Sequence, residues 1–118
     1  MYQLSERISQ NMKLRIEDNS LRLRLSEEEV HQFAASGRVA VAVLLGPDPT
    51  ETLTYALERA ETEDFRVTYG AGALTIKVPA ALATHWTSTD QNGFSATLMV
   101  AEDQPLRILV EKDLDCRH

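Results

Sequence analysis

The sequence has a single cysteine and no long apolar run, and each shortage excludes a class of protein. Cys116 has no second cysteine to pair with, so an internal disulfide is excluded and the fold depends on packing. The longest purely apolar run, Val39 to Leu45, is far shorter than the roughly 20 residues of a membrane-spanning helix. Its alternation of valine with alanine predicts a β-strand instead.

Basic side chains are also in the minority, with 12 lysines and arginines against 18 acidic residues and a net charge of −6. That balance opposes non-specific attraction to nucleic acid or anionic lipid, so an anion-binding site has to be a local patch. Residues 1–11 include Glu6 and Arg7 and lack the apolar stretch of a signal peptide. They are predicted to form an N-terminal extension outside the core of a cytoplasmic protein that has no membrane partner.

Residues 12–118 fit a single domain, and local patterns within them mark strands and helices. In residues 12–60, apolar and polar side chains alternate on both sides of one helical segment. Ser26 and Glu29 carry the signature of a capping box that begins the helix, and Gly37 is placed to end it. The predicted order for this half is strand, strand, helix, strand, strand.

The remainder of the chain repeats this pattern. When the sequence is aligned with itself at one constant offset, Leu14 matches Val67 and Phe33 matches Trp86 without a gap. The apolar positions of the strands then coincide as well. The sequence therefore predicts an α+β fold made of two tandem ββαββ halves, residues 12–60 and 65–113. A pseudo-two-fold axis would relate the halves within one barrel-like or two-layer domain.

Each predicted hairpin enters its helix through a short motif, NSLRLRLS at 19–26 and GALTIKVP at 72–79. The motif resembles the N-S-x-x-V-R-I-P stretch of the swapped-hairpin AbrB and MazE superfamily. That resemblance implies a barrel of two interleaved units, which one chain holding both units would close alone. It also implies that the outer hairpin face touches DNA, with Arg24 and Lys77 at the position of the motif's arginine. The sequence is similar as well to small bacterial proteins of unassigned function.

Basic residues concentrate on the outer faces of both predicted hairpins. Because strand side chains alternate, these residues point away from the apolar faces. They are Lys13, Arg15, Arg22 and Arg24 in the first hairpin, and Arg66 and Lys77 in the second. This concentration predicts a patch that binds phosphates of duplex DNA, as β-ribbon proteins do. The alternative is that the cations are simply solvated and discourage edge pairing.

The sequence nominates no catalytic residue, metal ligand or cofactor site. It lacks the G-x-S-x-G, P-loop and dinucleotide-binding motifs. Glu28 and His31 have E-x-x-H spacing, but acidic residues in a first helical turn are explained by the helix dipole. The chain is therefore predicted to be a non-enzymatic binding module, a DNA-binding regulator that uses its basic hairpin faces. A protein-interaction domain is the alternative, and homo-oligomerisation stays open.

Overall fold

The computed structural model describes residues 11–113, which form a mostly β protein with 55% strand and 18% helix. The strands are β1 Lys13–Glu17, β2 Ser20–Leu25, β3 Arg38–Leu44, β4 Thr52–Ala60, β5 Arg66–Gly70, β6 Ala73–Pro79, β7 Gly93–Ala101 and β8 Gln104–Lys112, and the helices are α1 Glu27–Ser36 and α2 Ala80–Ser88. Neither described helix has the length and apolarity that crossing a membrane requires. The predictions for residues 1–10 and Cys116 lie outside the described residues.

The strands form two separate four-stranded mixed sheets. Sheet A has the order β1-β2-β8-β7, and sheet B has the order β3-β4-β6-β5. In each sheet, two antiparallel hairpins meet through a central parallel pair, β2 with β8 in sheet A and β4 with β6 in sheet B.

The predicted α+β fold of two ββαββ halves in one barrel-like or two-layer domain is therefore wrong. Strand content dominates, and neither sheet closes, because β1 and β7 remain the edges of sheet A and β3 and β5 those of sheet B. Each sheet also combines a hairpin from 12–60 with a hairpin from 65–113, so neither predicted half is a structural unit. The alternation of apolar and polar residues predicts where a strand lies in the sequence, but it does not show which other strand pairs with it.

The boundaries of α1 are set by the local chemistry expected from the sequence. Ser26 Oγ accepts a hydrogen bond from the Glu29 N–H at 3.2 Å, and Glu29 Oε1 accepts one from the Ser26 N–H at 2.9 Å. Gly37 ends the helix in the left-handed conformation, with φ at 80°, and its N–H donates to the Phe33 carbonyl at 2.8 Å. The predicted capping box and glycine cap are confirmed.

One core joins both sheets and both helices. Its largest side chains, Trp86 and Phe33, are fully buried and lie edge to face, with ring centroids 6.1 Å apart. Met12 is also buried; it lies just before β1, and its carbonyl accepts the Tyr55 hydroxyl at 2.6 Å. Because the inner faces of the sheets share this core, their outer faces are turned away from it.

Candidate nucleic-acid interface

The outer face of sheet A, called face A below, carries the largest group of cations. Face A contains Lys13, Arg15, Arg22, Arg24 and Arg107. In the ladder between β1 and β2, Lys13 lies opposite Arg24, and Arg15 lies opposite Arg22. These four side chains line a cleft of about 220 Å³. The structure thus brings together four of the six cations predicted from the sequence.

Sequence reasoning did not include Arg107, the fifth cation of face A. Its alternation with the buried Ile108 signals an outward side chain, but the parallel pairing that sets Arg107 opposite Ser20 has no local signal. A second groove, of about 350 Å³, is lined partly by guanidinium and hydroxyl groups. Those groups belong to Arg15, Arg22, Arg107, Ser20, Ser95 and Thr97, and Glu17 contributes one carboxylate to the same groove. Such donors match the oxygen atoms of a phosphate.

Two carboxylates restrain part of face A. Glu111 Oε2 accepts hydrogen bonds from the Nε of Arg22 at 2.8 Å and from the Nη2 of Arg24 at 3.0 Å. Lys13 Nζ contacts Asp113 Oδ2 at 3.2 Å. Arg15 and Arg107 are exposed and form no ion pair within residues 11–113. Within face A, those two arginines are therefore the cations most accessible to an external anion.

The outer face of sheet B, called face B below, holds the other two predicted cations. Arg66 lies opposite Lys77 in the ladder between β5 and β6. Lys77 Nζ lies 4.0 Å from Glu58 Oε1, and the other oxygen of that carboxylate lies 3.4 Å from Arg38 Nε. The predicted set is therefore divided between two sheets, and Arg38 is a further cation that sequence reasoning left out.

Charge is segregated across the described part of the chain. Eight of its ten lysines and arginines project from the outer sheet faces, the five on face A together with Arg38, Arg66 and Lys77; the remaining two are Arg59 and Lys112. Only three of its sixteen acidic residues, Glu17, Glu58 and Glu111, occupy outward strand positions. The net negative charge therefore comes mainly from helices, turns and loops.

Nothing in the described residues assembles a metal site, since no group of three or more histidine, cysteine or acidic side chains has suitable geometry. Glu28 and His31 are exposed on α1, near its N-terminal end. Phosphate or another oxyanion is the ligand chemistry that the basic sheet faces favour.

Comparison with known proteins gives a family and no function. A model for a family of unknown function, DUF7009, matches residues 12–118. The chain belongs to that family. No curated protein and no solved structure matches the chain. The DUF7009 match contains every strand and helix described above, and both basic faces lie within it.

The acid response of this DUF7009 chain depends in part on Glu111. Partial burial by itself raises the pKa of its carboxyl, but the hydrogen bonds and charges of Arg22 and Arg24 hold that pKa below its usual value of 4.5. A carboxyl with a lowered pKa in the folded state contributes stability above its unfolded pKa. That stability is lost as the pH falls through the folded pKa.

Substituting Glu111→Gln is expected to reduce the free energy of unfolding by about 1 kcal/mol at neutral pH, through loss of the charged acceptor. The difference from the wild type should begin to shrink as the pH falls below the unfolded value of 4.5, and it should be smallest below the lowered pKa of the folded state, where the wild-type carboxyl is neutral as well. Urea unfolding of both proteins across the acid range measures it. A difference that stays constant with pH would show that the charge of Glu111 is not what stabilises the fold.

Proposed function

We propose that this protein is a non-enzymatic nucleic-acid-binding module, and that face A contacts the phosphates of duplex DNA. The supporting observation is the concentration of cations on the outer sheet faces of a chain whose net charge is −6. A folded sheet presents such cations in fixed rows, and proteins that read DNA with β-strands place a comparable surface in a groove. The resemblance to the AbrB and MazE superfamily has the same implication.

Face A is favoured over face B because of its composition. It holds five cations against Glu17 and Glu111 on its strands, and it adds a groove in which serine and threonine hydroxyls lie beside arginines. Arginine and hydroxyl groups are among the usual donors to the DNA backbone, and contacts to the backbone fix position rather than read sequence. The proposal therefore concerns affinity for the phosphate backbone.

The best probes of face A are Arg15 and Arg107, since Arg24 and Lys77 are about one-third exposed and each lies near a carboxylate. Wild-type protein should bind a fluorescent DNA duplex at low salt, and its affinity should fall steeply as salt is raised. Each phosphate contact contributes about −0.9 to the slope of log K against log salt. Replacing Arg15 and Arg107 together with alanine should make that slope shallower by about 2.

A matched control removes the same charge from the other sheet. The double variant Arg38→Ala with Arg66→Ala should keep the wild-type slope, because both residues lie on face B. Fluorescence anisotropy over a salt series measures all three proteins. If both double variants showed the same loss of salt slope, the effect would come from overall charge and not from face A. Absence of DNA binding by the wild type at low salt would refute the proposal.

A protein-interaction domain remains the second candidate, and one specific observation favours it. Large apolar side chains are exposed where β3 ends, with Leu44 at 65% and Leu45 at 68% exposure. Tyr69, near the same turn end of sheet B, is 69% exposed. Leu44 and Leu45 thus form a small exposed apolar patch at the β3 edge, while Tyr69 lies on the opposite edge strand β5; exposed apolar patches can mark contacts with another protein.

A further inference from the structure

The four edges of the two sheets differ in how they are protected from pairing with another chain. An edge strand presents unpaired backbone donors and acceptors, and proteins block such edges with charges, bulges or short strands. Strand β1 carries Lys13, Arg15 and Glu17, and β5 is five residues long and carries Arg66. Strand β7 is uncharged and pairs regularly with β8 from Gly93 to Met99, but it carries the polar Ser95 and Thr97 and its register shifts between Met99 and Ala101.

Strand β3 has none of these protections beyond its first residue, Arg38. Residues 39–45 are all apolar, and the pairing of β3 with β4 is regular from Arg38 to Leu44. The exposed side chains of Leu44 and Leu45 continue the apolar edge past the strand. Among the described edges, β3 is thus the one whose uninterrupted apolar sequence best suits pairing with another strand.

The hydrogen bonds to β4 show which groups of β3 face outward. Leu45 donates its N–H to the Glu51 carbonyl, and the Gly37 carbonyl accepts the Arg59 N–H, each at 2.8 Å. Odd-numbered residues of this segment therefore point their backbone groups at β4. By the alternation of an antiparallel ladder, Ala40, Ala42 and Leu44 direct their N–H and C=O groups at the open edge.

The sequence of this edge is complementary to itself. When two copies run antiparallel about a two-fold axis at Ala42, Ala40 lies opposite Leu44 of the second copy, and Val41 lies opposite Val43. Val39 then faces Leu45, so every residue from 39 to 45 has an apolar partner. The outward backbone groups form about six hydrogen bonds in this register. No charge opposes a like charge, whereas β1 paired with itself would bring cations together.

We propose that the protein forms a homodimer through antiparallel pairing of β3 with β3 of a second copy. The arrangement joins two copies of sheet B into one eight-stranded sheet and is isologous, as a two-fold dimer requires. It covers the exposed apolar residues of the β3 edge and leaves face A of each copy open. The inference does not depend on nucleic-acid binding, because face A belongs to the other sheet.

Light scattering after size exclusion should give the wild type, at micromolar concentration, a mass about twice the 13.2 kDa of one chain. Ala42→Lys places two lysines directly opposite each other at the two-fold axis and should return the mass to that of one chain. Ala42→Glu should do the same. An equimolar mixture of the two variants should recover the double mass, because lysine then faces glutamate.

The matched control is Thr97→Lys, which adds the same charge to an exposed position on the edge strand β7. It should leave the mass of the wild-type dimer unchanged. Circular dichroism checks that each variant is folded; if the Ala42 variants are not, Leu44→Lys and Leu44→Glu are used, since Leu44 is 65% exposed. A monomeric wild type at high micromolar concentration, or a dimer that Thr97→Lys rather than the β3 variants dissociates, would overturn the proposal.

Discussion

Replacing Trp86 with alanine is expected to lower the free energy of unfolding by about 3–5 kcal/mol, the usual cost of emptying a large buried aromatic site. The Trp86 side chain is fully buried and packs edge to face on Phe33 and on Phe94, whose ring centroid lies 5.2 Å away. Its Nε1 also donates to the Asn92 carbonyl at 3.1 Å. Urea unfolding monitored by circular dichroism measures the change.

Two further variants distinguish the loss of buried packing at Trp86 from the loss of an aromatic ring as such. Tyr69→Ala removes a ring that is 69% exposed and should change stability by about 0.5 kcal/mol or less. Trp86→Phe keeps most of the buried apolar surface and should fall between the two. Equal changes for Trp86→Ala and Tyr69→Ala would contradict the packing described for the core.

Replacing Gly72 with alanine is expected to lower the free energy of unfolding by about 2 kcal/mol, from backbone strain and a steric clash together. Gly72 lies in the turn between β5 and β6 with φ at 77°, in the left-handed region that favours glycine. A Cβ there would lie 2.6 Å from the Thr52 carbonyl oxygen. The Gly72 carbonyl also accepts the Thr54 N–H, so the turn cannot shift without weakening sheet B.

Gly70 supplies a control from the same hairpin. A Cβ added at Gly70 meets no atom within 4 Å, and its φ lies outside the left-handed region. Gly70→Ala should therefore be neutral or slightly stabilising, by up to about 1 kcal/mol, because alanine restricts the unfolded chain. Thermal unfolding of the two variants side by side tests the contrast, and a larger loss for Gly70→Ala would contradict the turn geometry.

The parts of the fold that the sequence predicts are those set by nearby residues. The capping box of Ser26 and Glu29, the glycine cap at Gly37 and the alternating strands all depend on contacts within a few positions. The arrangement of strands in sheets depends on pairs such as Ser20 with Arg107, which lie far apart in the chain. The alternation of apolar and polar residues in a strand does not depend on which strand pairs with it. The predicted fold class was wrong for that reason.

For the candidate site too, the sequence predicted what depends on nearby residues and missed what depends on distant strands. The outward direction of Arg15, Arg22 and Arg24 followed from alternation, and the structure places them on one face. Glu111, the carboxylate partner of Arg22 and Arg24, comes from β8, so the sequence indicated solvated cations where the structure has ion pairs for these two residues. Arg107 was missed for the same reason. Whether the predicted cations bind DNA stays a prediction.

The pairing of β2 with β8 has a consequence for synthesis of the chain on the ribosome. All four strands of sheet B lie within residues 38–79, so they become available for pairing while the C-terminal part is still being made. The first hairpin emerges earlier but must wait for residues 104–112, and an isolated two-stranded hairpin is at best marginally stable in water. Leu21 and Leu23, which the finished fold buries, would be exposed during that interval. A nascent chain would therefore complete face A last, and a chain truncated before β8 would lack Arg107 and the strand that pairs with β2, even where sheet B still forms.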